Sequence, residues 1–124
     1  MADPTLGQTI ALSPAARQDL RDVLLWSQDK FGSKAAARYR VLLIQALRDL
    51  EVDPLRPGSR TRPELTPGAR TYHLASSRSS VEGQPVKSPR HLILYRITST
   101  GLEVARIVHD SRDLERHLPD DYRA

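Results

Sequence analysis

The stretch from His91 to Leu118 constrains this chain most. It holds two apolar, β-rich runs, 91–97 and 102–108, separated by Thr98-Ser99-Thr100-Gly101. Runs of that composition around a short polar turn predict an antiparallel hairpin. Pairing Ile97 with Leu102 sets Arg96 opposite Glu103 and Tyr95 opposite Val104. Opposite charges and apolar neighbours then meet across the strands, as cross-strand pairing favours. Both runs are more apolar than a half-exposed strand requires, which places them at the centre of a sheet.

Upstream, Thr9 to Leu12 fits a short first strand. Ser13-Pro14 is a helix start: the serine oxygen can cap, and proline suits the first helical position. Ala16, Leu20, Val23, Leu24, Ser27 and Phe31 form one helical stripe; Tyr39, Leu43, Ala46, Leu47 and Leu50 form a second. Gly32 ends the first helix, Ser33 can cap the next, and Pro54 stops it. So short a join predicts an antiparallel helical hairpin. Leu25, Trp26 and Leu42 lie off the stripes. They either pack under the sheet or a terminus, or form an exposed apolar patch that a partner covers.

The connector from Pro54 to Arg70 holds four prolines, two glycines and four arginines, a composition of turns and not of helix or strand. Residues 70–75 alternate as a strand. Ser76 to Pro89 reads as a long mobile loop.

A chain of 124 residues suggests a single domain spanning 1–124. It has no cysteine, no basic-then-apolar leader and no apolar run of membrane-spanning length. A cytoplasmic protein that does not engage a membrane is the expectation. Residues 54–91 carry seven basic and two acidic residues, a net of +5, while the flanking segments are near neutral. That excess suits an acidic partner, or simply a soluble surface.

Motifs for chemistry are sparse. His73, His91, His109 and His117 lack close metal-ligand spacing, so neither metal nor cofactor is expected. There is no phosphate loop and no nucleophile elbow. His109 and Arg112 are the two residues that acid–base or phosphate chemistry could use. Asp110 to Leu118 suits a short helix: Asp113 and Glu115 lie near its start, Arg116 and His117 near its end.

Tyr95-Arg96-Ile97 and the run Arg106 to Asp113, followed by Leu114, Arg116, His117 and Leu118, resemble the C-terminal half of ParE toxins. These belong to the RelE/ParE superfamily of type II toxin–antitoxin systems, and the resemblance extends upstream to about Ile10. It implies an α+β fold: an N-terminal helical hairpin on a small antiparallel sheet, with a short C-terminal helix. It implies a toxin that arrests growth, serves plasmid maintenance, and inhibits DNA gyrase by binding without chemistry of its own. It implies a cognate antitoxin encoded by an adjacent gene, with Leu25, Trp26 and Leu42 as candidate contacts. Arg96, Arg106, His109, Arg112 and Arg116 are candidate target contacts. Direct nucleic-acid binding without the antitoxin is not implied. Two alternatives stand beside this: a RelE-type ribosome-dependent mRNA endonuclease using Arg112 and His109, and a non-toxic antitoxin-binding module. The nuclease branch commonly carries an aromatic near the C-terminal helix. Here that position holds Leu118-Pro119, which favours the ParE branch.

Overall fold

Two strands, β4 (His91–Thr98) and β5 (Gly101–His109), pair in the expected register, with Ile97 opposite Leu102, Arg96 opposite Glu103 and Tyr95 opposite Val104. The computed structural model describes residues 10–81, 83, 86–111 and 114. Around that hairpin the sheet adds β3 (Ala69–His73) and β2 (Ser59–Thr61) on one side and β1 (Ile10–Leu12) on the other. The order is β1-β5-β4-β3-β2. The sheet is mixed and not purely antiparallel, because β1 runs parallel to β5. Parallel neighbours need a long crossover, and here everything between β1 and β5 supplies it. Leu94 opposes Arg106 while Tyr95 opposes Val104, so Ala105 is the extra residue of a bulge in β5.

Among the described residues the two α-helices are α1 (Pro14–Phe31) and α2 (Ser33–Val52). Ser13 does two jobs. Its Oγ accepts the Ala16 N–H (3.0 Å), capping α1, and donates to the Ala105 carbonyl (2.7 Å), fastening the helix start to the sheet. Gly32 makes the turn in a left-handed conformation, φ +90°. Ser33 is already helical; it is Gly32 that occupies the cap position of α2, without a side-chain bond. Asp53 ends α2 just before Pro54.

The helical hairpin covers one face of the sheet. Val23, Leu43, Leu47 and Leu50 pack with Tyr72, Ile93, Tyr95, Val104 and Ile107, and Leu20 and Leu24 lie half-buried against them. Two residues depart from the stripes. Leu42, off the second stripe, is 1% exposed and packs in this core. The cause is that α2 packs against α1 on one side and a 3-10 helix, Leu74–Ser80, on the other, which widens its buried face. Phe31 is 65% exposed, because it is the last residue of α1 and projects past the core to meet Trp26 edge-on.

That 3-10 helix replaces the first half of the expected loop. Ser77 Oγ donates to Asp49 Oδ2 on α2 (2.6 Å), and so accepts from the Tyr72 hydroxyl (2.7 Å). A serine-rich segment is held when its hydroxyls find distant partners. The Pro-rich connector contains β2, a strand that its composition had hidden. Tyr95 donates to the Pro54 carbonyl and bonds Ser59, and Arg70 Nε donates to Ser59 Oγ (2.8 Å). On the far face of the sheet, Leu65 of the connector packs on Ala69, Leu94 and Ala105. The expected C-terminal helix falls almost wholly outside the described residues.

Candidate functional site

A cleft of about 570 Å³ opens between α1 and the end of β5. Its α1 wall presents Asp19, Asp22, Val23 and Trp26; its sheet wall presents His91 and the run from Arg106 to His109.

Asp19 sits on the buried stripe of α1, three residues after Ala16 and four before Val23. Its carboxylate accepts from Arg106 Nε (2.7 Å) and Nη2 (2.8 Å), and its Oδ2 also accepts the Ile107 backbone N–H (2.9 Å). One carboxylate thus joins helix to strand and satisfies a backbone donor on the strand's outer edge. Asp19 holds the Arg106 guanidinium even further above its ordinary range.

Next along the cleft is an aromatic cluster. The Tyr39 hydroxyl accepts the Arg90 N–H (2.9 Å), so its own proton goes to His91 Nδ1 (2.7 Å). His91 therefore carries its ring proton on Nε2. Burial, helped by the neighbouring His109, pulls the His91 imidazole down to about 4, so the ring is neutral near pH 7. Burial pushes the Tyr39 phenol up to about 12. Trp26 meets His91 and His109 edge-on, with ring centroids 5.2 and 6.3 Å away.

At the end of β5, His109 Nδ1 accepts the Ser111 N–H (3.2 Å) and bonds the Ser111 hydroxyl (2.7 Å). Asp110 accepts from Arg90 Nη2 (3.0 Å) through one oxygen and from His73 Nε2 (3.0 Å) through the other. The His73 proton is on Nε2, because Nδ1 accepts the Ala75 N–H (3.0 Å). Partial burial pushes the Asp110 carboxyl up, but the His73 bond and the charge of Arg90 outweigh it and leave the group below its usual range.

The cleft brings together Trp26, Arg106 and His109 of the sequence-predicted residues. Leu25 is 59% exposed on the outer side of α1. Leu42 borders a separate groove of about 290 Å³ with Arg38, Val41 and Arg78. Arg96 pairs with Glu103 (3.0 Å) in the β4–β5 ladder, away from the cleft. Arg112 and Arg116 lie outside the described residues. Sequence reasoning missed Asp19, Tyr39 and Asp110 as site residues. For Asp19 the signal was present, since a lone carboxylate on an apolar stripe demands a buried partner. Among the described residues no group of three or more His, Asp or Glu is disposed to hold a metal, and no helix is long and apolar enough to cross a membrane.

Comparison with known proteins agrees with the fold. A chain from the chromosomal ParDE toxin–antitoxin system of P. aeruginosa superposes with a TM-score of 0.57 at 18% identity, covering 82% of this chain and 94% of that one. No curated protein matches the sequence. The sequence model for the ParE toxin of the type II toxin–antitoxin system parDE matches residues 10–114. With the helical hairpin, the five-stranded sheet and that match over most of its length, the chain belongs to the ParE toxin family.

Proposed function

We propose that this ParE-family toxin inhibits DNA gyrase by binding it in the cytoplasm, and that a cognate antitoxin encoded by an adjacent gene neutralises it. The observation that carries this reading is the engagement of its arginines. A nuclease must converge several free groups on one phosphate, to move protons and to stabilise developing charge. Arg106 is instead held at two points by Asp19, and Arg96 is paired with Glu103. His109 spends Nδ1 on Ser111. These contacts suit a scaffold that presents a surface. In this reading Arg106 acts by fixing α1 on the sheet. His109, Arg112, Arg116 and the half-exposed Arg96 contribute to the target face. Leu25 and Trp26 contribute to the antitoxin face, and Leu42 supports them from the core.

The deciding experiment sets purified protein against gyrase supercoiling and against ribosome-bound mRNA in parallel. Loss of supercoiling, or a trapped cleaved-DNA complex, with intact mRNA is expected. Cleavage of mRNA in the ribosomal A site, abolished by Arg112→Ala, would transfer the protein to the RelE-type nucleases. Binding of the adjacent gene product with no effect on either target would make it a non-toxic binding module.

A further inference from the structure

Five arginines are each paired with a carboxylate: Arg56 with Asp49, Arg62 with Glu64, Arg90 with Asp110, Arg96 with Glu103 and Arg106 with Asp19. The outer side of α2 is different. From Ser33 to Arg48 the helix holds Lys34, Arg38, Arg40 and Arg48 and no acidic residue, whereas α1 mixes Arg17, Arg21 and Lys30 with Asp22 and Asp29. Lys34, Arg38 and Arg48 are exposed, and among the described residues none of the three has a side-chain hydrogen bond or an ion pair. The first acid of the helix, Asp49, is already taken by Gln45, Ser77 and Arg56. Helical spacing puts Lys34, Arg38, Val41, Gln45 and Arg48 on one outward stripe. From Lys34 to Arg48 it runs about 21 Å along the axis. Across the groove of about 290 Å³ stands the exposed Arg78, whose Nη1 donates to the Lys87 carbonyl (2.6 Å) and so keeps another exposed cation beside it.

We propose that this face of α2, together with Arg78, grips the sugar–phosphate backbone of duplex DNA, the segment that gyrase holds while the toxin is bound to it. Duplex DNA carries one negative charge per ~1.7 Å of its axis, so a straight row of unpaired cations engages several phosphates at once. A basic stripe along one helix, in a chain whose pI is about 9.8, is the electrostatic footprint of such binding. The groove lets one phosphate lie between the Arg38 and Arg78 guanidinium groups. Its floor of half-exposed Val41 with Val81 and Val86 meets the less polar sugar. Contacts of this kind position the duplex without reading its bases, so binding is independent of sequence. The inference deepens the gyrase reading and rests on it: the toxin spans enzyme and DNA, with its gyrase contacts elsewhere on its surface.

The test follows the full chain binding a fluorescently labelled duplex by anisotropy, at salt from roughly 50 to 200 mM. With about four phosphate contacts, affinity should fall on the order of a hundredfold across that range. Lys34→Gln, Arg38→Gln and Arg48→Gln combined should lower duplex affinity at least tenfold. Removing the same charge elsewhere, by Arg21→Gln, Lys30→Gln and Arg60→Gln, should lower it less than threefold. Circular dichroism checks that both variants fold. The α2 variant should bind gyrase without DNA as the native chain does, yet at least fivefold more of it should be needed to halt supercoiling. Equal losses in the two variants would reduce the effect to net charge and overturn this inference. So would supercoiling inhibition indifferent to the α2 changes; either result leaves the gyrase reading intact. Tighter binding to duplex RNA or to polyglutamate would overturn DNA as the occupant. A native chain without effect on gyrase would overturn that reading, and this inference with it.

Discussion

Asp19 and Arg106 stand 87 residues apart in the chain and meet in a two-point ion pair, Nε to Oδ2 at 2.7 Å and Nη2 to Oδ1 at 2.8 Å. The Asp19 side chain is 11% exposed. Removing Asp19 takes both of these bonds from the guanidinium and frees the Ile107 N–H. Asp19→Ala should cost about 3 kcal/mol in urea unfolding. Asp19→Leu combined with Arg106→Met should cost less than the two single changes added together. Strict additivity would show the pair to be uncoupled.

His91 makes the fold acid-sensitive. Its folded pKa of about 4 lies below the ordinary value of 6.5, so the unfolded chain takes up the proton first. Stability from this group is complete above pH 6.5 and declines as pH falls toward 4, by on the order of 3 kcal/mol. Asp110, also held below its usual range, adds a loss in the same direction at lower pH. Urea midpoints measured from pH 7 to 4 should fall more steeply for the native sequence than for His91→Phe. Parallel curves would mean that His91 is not the group responsible.

Two glycines separate backbone freedom from space. Gly32 has φ +90° with nothing near its missing Cβ. Gly58 has φ +100°, and a Cβ there would lie 2.5 Å from Ser76 Oγ. Gly32→Ala should cost ~1–2 kcal/mol, the price of a left-handed conformation alone. Gly58→Ala should cost more, because the connector must also move off the 3-10 helix. Thermal melts of the two variants give the comparison directly.

Core and tip should differ sharply. Leu43 is fully buried between hairpin and sheet, and Leu43→Ala should cost about 2–5 kcal/mol. Phe31 is mostly exposed and meets Trp26 edge-on, so Phe31→Ala should change stability by roughly 0.5 kcal/mol or less. An equal cost for both would contradict the burial pattern.

The hairpin register, the Ser13-Pro14 helix start and the Gly32 turn were legible in the sequence, because each depends on neighbours a few residues away. What escaped it depends on distant partners. Leu42 looked stray until the 3-10 helix gave its side of α2 a cover. Residues 76–80 looked like a loop because what holds them is Ser77 bonded to Asp49 on α2 and to Tyr72. Three residues of β2 gave too short a pattern to stand out against the surrounding prolines. In the candidate site, Trp26 and His109 could be named from sequence as residue types. Their meeting across a cleft with Asp19 could not, since it follows from how α1 crosses the end of β5.

The parallel pairing of β1 with β5 bears on the order of events at the ribosome. Ile10 lies opposite Leu102, so the first strand synthesised is among the last to find its neighbour. Until Gly101–His109 leaves the exit tunnel, α1 and α2 have emerged without the centre of the sheet they cover. Closing that 92-residue separation is a late, entropically costly step. During translation the apolar side of the helical hairpin is bare, open to chaperones and to any polypeptide able to grip it before the native sheet does.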